Sequence, residues 1–439
     1  MKRSHLPVHP VFFALAALAS GACKASPDEG QIQILTVDDP FVGPPAATTL
    51  DVDGISADGG VTSLVHGQSV SQSSIDMGDF DESATYAIRV TAFGADGGAV
   101  AIGETLPVQL GALAESVLEV FVQRDGVLSR MPSPLNDARN APLLGVLGGR
   151  YLFEAGGTDT ATATTTNLYD LIGYDSYAAP PTFATAPKSM ALSDLEALSI
   201  DASGATWLDL SADTTTAATL PSGGTSWGAV AGGLTVLADD GTEYVVGATR
   251  TTGDPTAAIL VVSTTQTLTW ATLGTARLGA AAGWIPGRGL VVAGGSPDAK
   301  SAGAELLGAG ATNATPLPYP ADPTTGGGVD ALDTSHALVV AGSTARVIDF
   351  TCTAACTATP WTATLPTPLA FAQVFDIDSL NAFVVGEEAS GVSHAFRLSA
   401  SLAQEIPFKL PRSHARAVRL PLGPIAIAGG NAQMESFTP

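Results

Sequence analysis

Cationic side chains are scarce in this chain. Nineteen Lys and Arg stand against 42 Asp and Glu, a net charge of −23 at pH 7 over 439 residues. A body so acidic repels phosphate backbones, which excludes nucleic-acid binding, and it gains nothing by charge from an anionic lipid surface. Charge of either sign is sparse too, at 14% of residues, with 45% hydrophobic, so the chain is not an acidic disordered tail. No apolar run approaches the roughly 20 residues that a membrane-spanning helix needs. Cysteine is nearly absent, with three residues, and aromatics make up only 6%. What is abundant is turn chemistry: 48 Gly and 29 Pro punctuate short runs of Val, Ile, Leu, Ala and Thr. The length allows two or three domains with sizeable cores.

The N-terminus departs from the rest. Lys2 and Arg3 precede the apolar run VFFALAALA at 11–19, followed by Ser20, Gly21, Ala22 and Cys23. A basic head, a short apolar segment and small residues at the cut describe an export signal over residues 1–22. Small residues ending on Cys resemble the bacterial lipobox. That resemblance implies acylation of Cys23, a tether over 23–30 and attachment to the outer membrane or cell surface, since Lys24 is not the Asp of inner-membrane retention. An ordinary secreted protein with a Cys near the cut is the other reading. The remaining pair, Cys352 and Cys356, is expected to form a disulfide in an oxidising compartment. Zinc would need two further ligands, and no His lies near in sequence.

Residues 31–125 read as a small β-sandwich domain. Short β-type runs at 31–37, 48–52, 85–93, 99–102 and 117–123 fit it, with Asp96-Gly97-Gly98 as a hairpin turn. Asp76, Asp79, Asp81 and Glu82 form an acid cluster, read as a solvated loop before a calcium site because EF-hand spacing is lacking.

From residue 126 to 439 the chain repeats. A β-type pair followed by small residues starts at 153, 200, 245, 291, 339, 384 and 426, as in Val291-Val292-Ala293-Gly294-Gly295. The steps are 47, 45, 46, 48, 45 and 42, which suit one four-stranded propeller blade each. Segments of small residues at 228–232, 279–283 and 415–419 are expected as innermost strands, where large side chains would collide at the axis. Third strands are expected at 167–171, 346–350 and 394–398. Fourth strands are expected at 218–221, 363–366 and 408–412. The last repeat stops one strand short, and residues 127–131 are predicted to supply it from the other end, closing a ring of seven blades.

The Ala-Gly-Gly strand ends and the Leu410-Pro411-Arg412-Ser413-His414 approach resemble kelch repeats, in particular the kelch propeller of galactose-oxidase-like proteins. The fold class implied is all-β: a seven-bladed kelch-type propeller preceded by the small β-sandwich.

Chemistry is thinner than architecture. Arg139, Arg277 and Arg412 each lie 14 residues before a repeat position, so all three belong at one rim. With His414 they form a candidate ligand-binding rim, either a cationic ring for a carboxylate ligand or, as kelch repeats often have it, basic residues holding loop carbonyls. Loops at 158–166, 249–256 and 296–303 are expected to decorate that rim. Residues 199–207 resemble the Asp-box of sialidases, a structural turn. His336, His394 and His414 fall in different repeats, so no catalytic residue, metal site or cofactor is expected. The reading is an exported, lipid-anchored, non-enzymatic scaffold that binds a protein or glycan; the alternative is an exported carbohydrate-active enzyme, a sialidase-like hydrolase or an oxidase.

Overall fold

The computed structural model describes residues 31–76, 83–113, 117–158, 163–178, 182–223, 225–296 and 301–439. Among them, regular structure is β-strand apart from three short 3-10 turns. The export signal, the tether and Cys23 lie outside the described residues, as do Asp79, Asp81 and Glu82 of the acid cluster.

Residues 31–124 make two sheets over one core. Gln31–Leu35 pairs antiparallel with Ser74–Asp76 and parallel with Val117–Phe121. The larger sheet places Ala47–Ile55 between Val61–Ser69 and Thr85–Gly94, and continues through Ala99–Glu104 to Gln123–Arg124. Thr85–Gly94 buries alternate residues, as a half-covered strand does, and Gly97 at φ +79° makes the predicted turn into Ala99–Glu104. Ile32, Ile34 and Val120 from one sheet pack on Leu50, Val52, Ile88 and Val90 from the other.

The rest of the chain is a β-propeller. Four antiparallel strands succeed one another over 143–178, 189–217, 234–277, 281–316 and 371–405. The sheet over 328–369 counts three strands, because His336–Asp349 is continuous. That strand nevertheless turns back on itself at Gly342, at φ +59°. The Phe350 N–H donates to the Ser335 carbonyl at 2.8 Å, and Thr344 Oγ1 donates to the Ala341 carbonyl at 3.1 Å. Its halves therefore serve as the second and third strands.

The last sheet orders Leu128–Arg130, Glu435–Phe437, Ile425–Ala428 and Arg416–Arg419. Its outermost strand comes from the start of the propeller, as the sequence predicts. Innermost strands contact one another in cyclic order, with Arg416–Arg419 returning to Leu143–Leu147. Between consecutive sheets lies a core to which each second strand contributes alternate residues. Leu290 and Val292 face the preceding sheet, while Val291 and Ala293 face the next. Coverage on both sides explains why these strands read as unbroken apolar runs.

Small residues do occupy the axis. A Cβ on Gly145 would lie 2.2 Å from Leu192, and one on Gly283 would lie 2.4 Å from the Val329 carbonyl oxygen. Residues 228–232 are not an innermost strand, however. Trp227–Ala229 is a 3-10 turn, and the strand is Leu234–Leu237. Two expected fourth strands also shift: the observed ones are Thr214–Ala217 and Ala403–Glu405, and the Pro-ended runs after them are connections between sheets.

The two units share a core and a set of polar contacts. Leu35, Val37, Leu106 and Phe121 pack on Leu171, Tyr174, Leu420 and Met434 of the propeller. Arg130 in the closing strand donates to Asp38 from Nε at 3.0 Å, Nη2 at 2.8 Å and the backbone N–H at 2.8 Å. Gln123 bonds to Thr438 and Ser436 beside the last strand.

Candidate binding surfaces of the propeller

Arg139, Arg277 and Arg412 hold equivalent places ahead of three innermost strands, but they do not form an exposed cationic ring. They are 1%, 0% and 4% accessible. Each donates Nη1 to the carbonyl of the Gly 17 residues on: Gly156 at 3.3 Å, Gly294 at 2.7 Å and Gly429 at 3.2 Å. Each also meets carboxylate. Arg277 Nη2 is 2.8 Å from Glu305, Arg412 is 3.1 Å from Glu435, and Arg139 is 2.7 Å from Asp137 and 3.4 Å from Glu154. A buried guanidinium is stable only when paired, and these tie the second-to-third strand loop to the propeller body. The sequence reading that they hold loop carbonyls is the one the geometry supports. His414, at φ +49°, meets Glu387 at 3.1 Å, apart from the three arginines.

The other singled-out residues are also structural or separate. Cys352 and Cys356 are disulfide-bonded. Asp201 accepts from the Ser203 N–H at 2.6 Å and the Gly204 N–H at 3.0 Å, so the Asp-box-like segment is the turn between Glu196–Ile200 and Ala205–Asp209. His336, His394 and His414 pair with Asp333, Glu405 and Glu387 in different places. Among the described residues no three His, Cys, Asp or Glu side chains gather as a metal site would require. Of the three loops expected on the rim, 159–162 and 297–300 lie outside the described residues.

The axial channel offers open surface at both mouths. The upper mouth, where the innermost strands begin, is a cavity of about 260 Å³ with Lys188, Thr249, Thr251 and Arg416 in its wall. Arg416 lies over the Phe371 ring at 4.0 Å and donates to Glu387 at 3.1 Å. The lower mouth, where those strands end, is about 420 Å³. Asp330, Asp376 and Arg419 reach it from three successive innermost strands, and Trp284 and Leu237 also line it. Arg419 Nη2 donates to the Asp376 carboxylate at 2.5 Å, and the Asp376 N–H donates to Asp330 Oδ2 at 2.8 Å. Removal from water, reinforced by the neighbouring Asp376 charge, pushes the Asp330 carboxyl up. Leu237 is 61% accessible at the lip. These residues were not legible as a site, because aspartates in different repeats share no motif; only the register of the inner strands brings them together.

No protein-family profile matches this chain, and no curated protein matches it. Solved structures similar to it include "YCF48 bound to D1 peptide" (10% identity, 70% of this chain and 94% of that one, TM-score 0.46). Others are "Crystal Structure of Mitotic Checkpoint Complex" (11%, 72% and 95%, 0.46) and "Structure of the Neurospora crassa Pan2 WD40 domain" (10%, 70% and 93%, 0.42). This chain's own strand order and ring contacts make it a propeller.

Proposed function

We infer that this chain is an exported, lipid-anchored binding scaffold: a signal over 1–22, an acylated Cys23, a β-sandwich over 31–125 and a seven-bladed kelch-type propeller over 126–439. The propeller works by presenting a surface, not by catalysis, and the surface is the lower axial mouth. One observation carries this reading. The arginines that sequence spacing marks for a ligand are buried in loop-holding contacts, whereas Asp330, Asp376 and Arg419 line an open cavity beside the exposed Leu237. A concave, partly apolar surface with a few convergent polar groups is what a binding site requires. Its acidic balance suits a partner that contributes a basic group, on a protein or an amino sugar.

Two measurements on the exported protein test the reading. Intact mass should place the mature N-terminus at a diacylated or triacylated Cys23; an unmodified terminus elsewhere ends the anchor claim. A photo-crosslinker at Leu237 should yield a discrete adduct in cells. The adduct should be absent from the same probe at Val392 and lost on combining Asp330→Asn with Asp376→Asn. Equal labelling from both positions would overturn the assignment of the lower mouth.

A further inference from the structure

Another cavity, of about 350 Å³, opens between the sheets over 281–316 and 328–369, away from the axis. Arg346 projects from the third strand of one sheet. Its Nη2 bonds to Asp322 and, at 3.0 Å, to Thr324 Oγ1, both on the connection from the other sheet. A guanidinium has five N–H donors, and here both Nη2 bonds are used. Nε–H and the two Nη1–H have no protein acceptor among the described residues, and the side chain lines the cavity. Arg277 differs: all three of its nitrogens are engaged by Glu305, carbonyls and Ser296.

The walls are fixed before anything binds. Gly295 and Ser296 N–H donate to the Thr324 and Asp322 carbonyls at 2.8 and 3.0 Å. Tyr319 Oη donates to the Asp349 carbonyl and accepts from the Asp349 N–H, each at 2.8 Å. The Cys352–Cys356 bridge closes the loop that ends on the wall residue Thr357. Such preorganisation lowers the cost of binding.

We propose that this cavity is a saccharide-binding site, distinct from the axial mouth. Asp322 already neutralises Arg346 in a protein of net charge −23, so a carboxylate or phosphate gains little there. What remains is a planar set of donors on one edge, Thr344 and Thr357 hydroxyls able to accept, and the apolar surface of Ile348 and Pro320. A pyranose presents the complement, with hydroxyls around its edge and C–H bonds on its face. The Arg346 donors take ring hydroxyl oxygens, and the apolar surface takes the C–H face.

Ligand-observed NMR of the full chain with a panel of neutral hexoses, N-acetylhexosamines and their short oligomers tests this. At least one should show saturation transfer with millimolar or tighter affinity. Arg346→Ala and Arg346→Lys should each weaken it by roughly tenfold or more, since the donors lost are charged. Because Arg346 is partly buried, Thr357→Trp serves as a second variant: it obstructs the opening from an exposed position and should abolish the signal in a protein whose melting is unchanged. The Asp330→Asn, Asp376→Asn double variant should bind the sugar as wild type does. No transfer from any member of the panel, or transfer indifferent to Arg346→Ala and Thr357→Trp, overturns the proposal. Loss in the aspartate variant instead would move sugar binding to the axial mouth.

Discussion

Among the described residues, no cation pairs with the Glu243 carboxyl. It is buried in Glu243–Val246 and takes one bond, from the Leu192 N–H of the neighbouring sheet. Burial pushes it from 4.5 up to about 8, against the lowering effect of that N–H. A carboxyl raised on folding binds its proton more tightly in the native state, so stability falls as pH rises from about 4.5 to about 8 and levels off above. Glu154, raised by burial to about 7 despite Asn167 and Arg139, adds a slope of the same sign. Glu243→Gln keeps an acceptor for Leu192 without the ionisation. It should melt with wild type near pH 5 and several degrees above it at pH 8.5, by thermal denaturation at the two pH values. A parallel loss of stability in both proteins would refute the assignment. Neither glutamate was legible as buried, because a single Glu in a strand reads as solvent-facing until both neighbouring sheets are in place.

At the scale of elements, the closing strand carries the sharpest expectation. Leu128–Arg130 pairs with Glu435–Phe437, and Leu128 and Phe437 share a core with Phe383 and Ile425. A chain reduced to 126–439 should fold cooperatively but melt below the full chain, because it loses Asp38 and Gln123 from the closing sheet. Removing residues through 132 should lower the melting temperature further by exposing the edge of Glu435–Phe437. Equal melting of both truncations would deny the closure any energetic role. The repeat was visible in sequence because second strands are covered on both faces and must stay apolar. Two fourth strands, the fully exposed Thr214–Ala217 and the mostly exposed Ala403–Glu405, were misplaced because little packs on them to fix their composition, whereas 363–366, with Ala363 and Leu365 buried, falls within the observed Thr359–Leu369. Val61–Ser69 was missed for the same reason: an edge strand of mostly exposed, polar residues leaves no alternation to find.

For the molecule as a whole, the two units are joined by a continuous apolar core, not by a linker. Units so joined unfold together. Calorimetry of the full chain should give one transition whose calorimetric and van't Hoff enthalpies agree; two resolved transitions would show that the shared core contributes little. The ring's clasp also has a consequence for its biogenesis. Residues 128–130 are synthesised, and in an exported chain delivered, some 300 residues before their partner at 435–437. Until then the circle stays open, and the entropy of closing so long a loop falls on the final step. An early strand left waiting is a hazard when long, since it offers a template to other chains. Here it is three residues long, too short to recruit a stranger, and it becomes secure only when Glu435–Phe437 arrives.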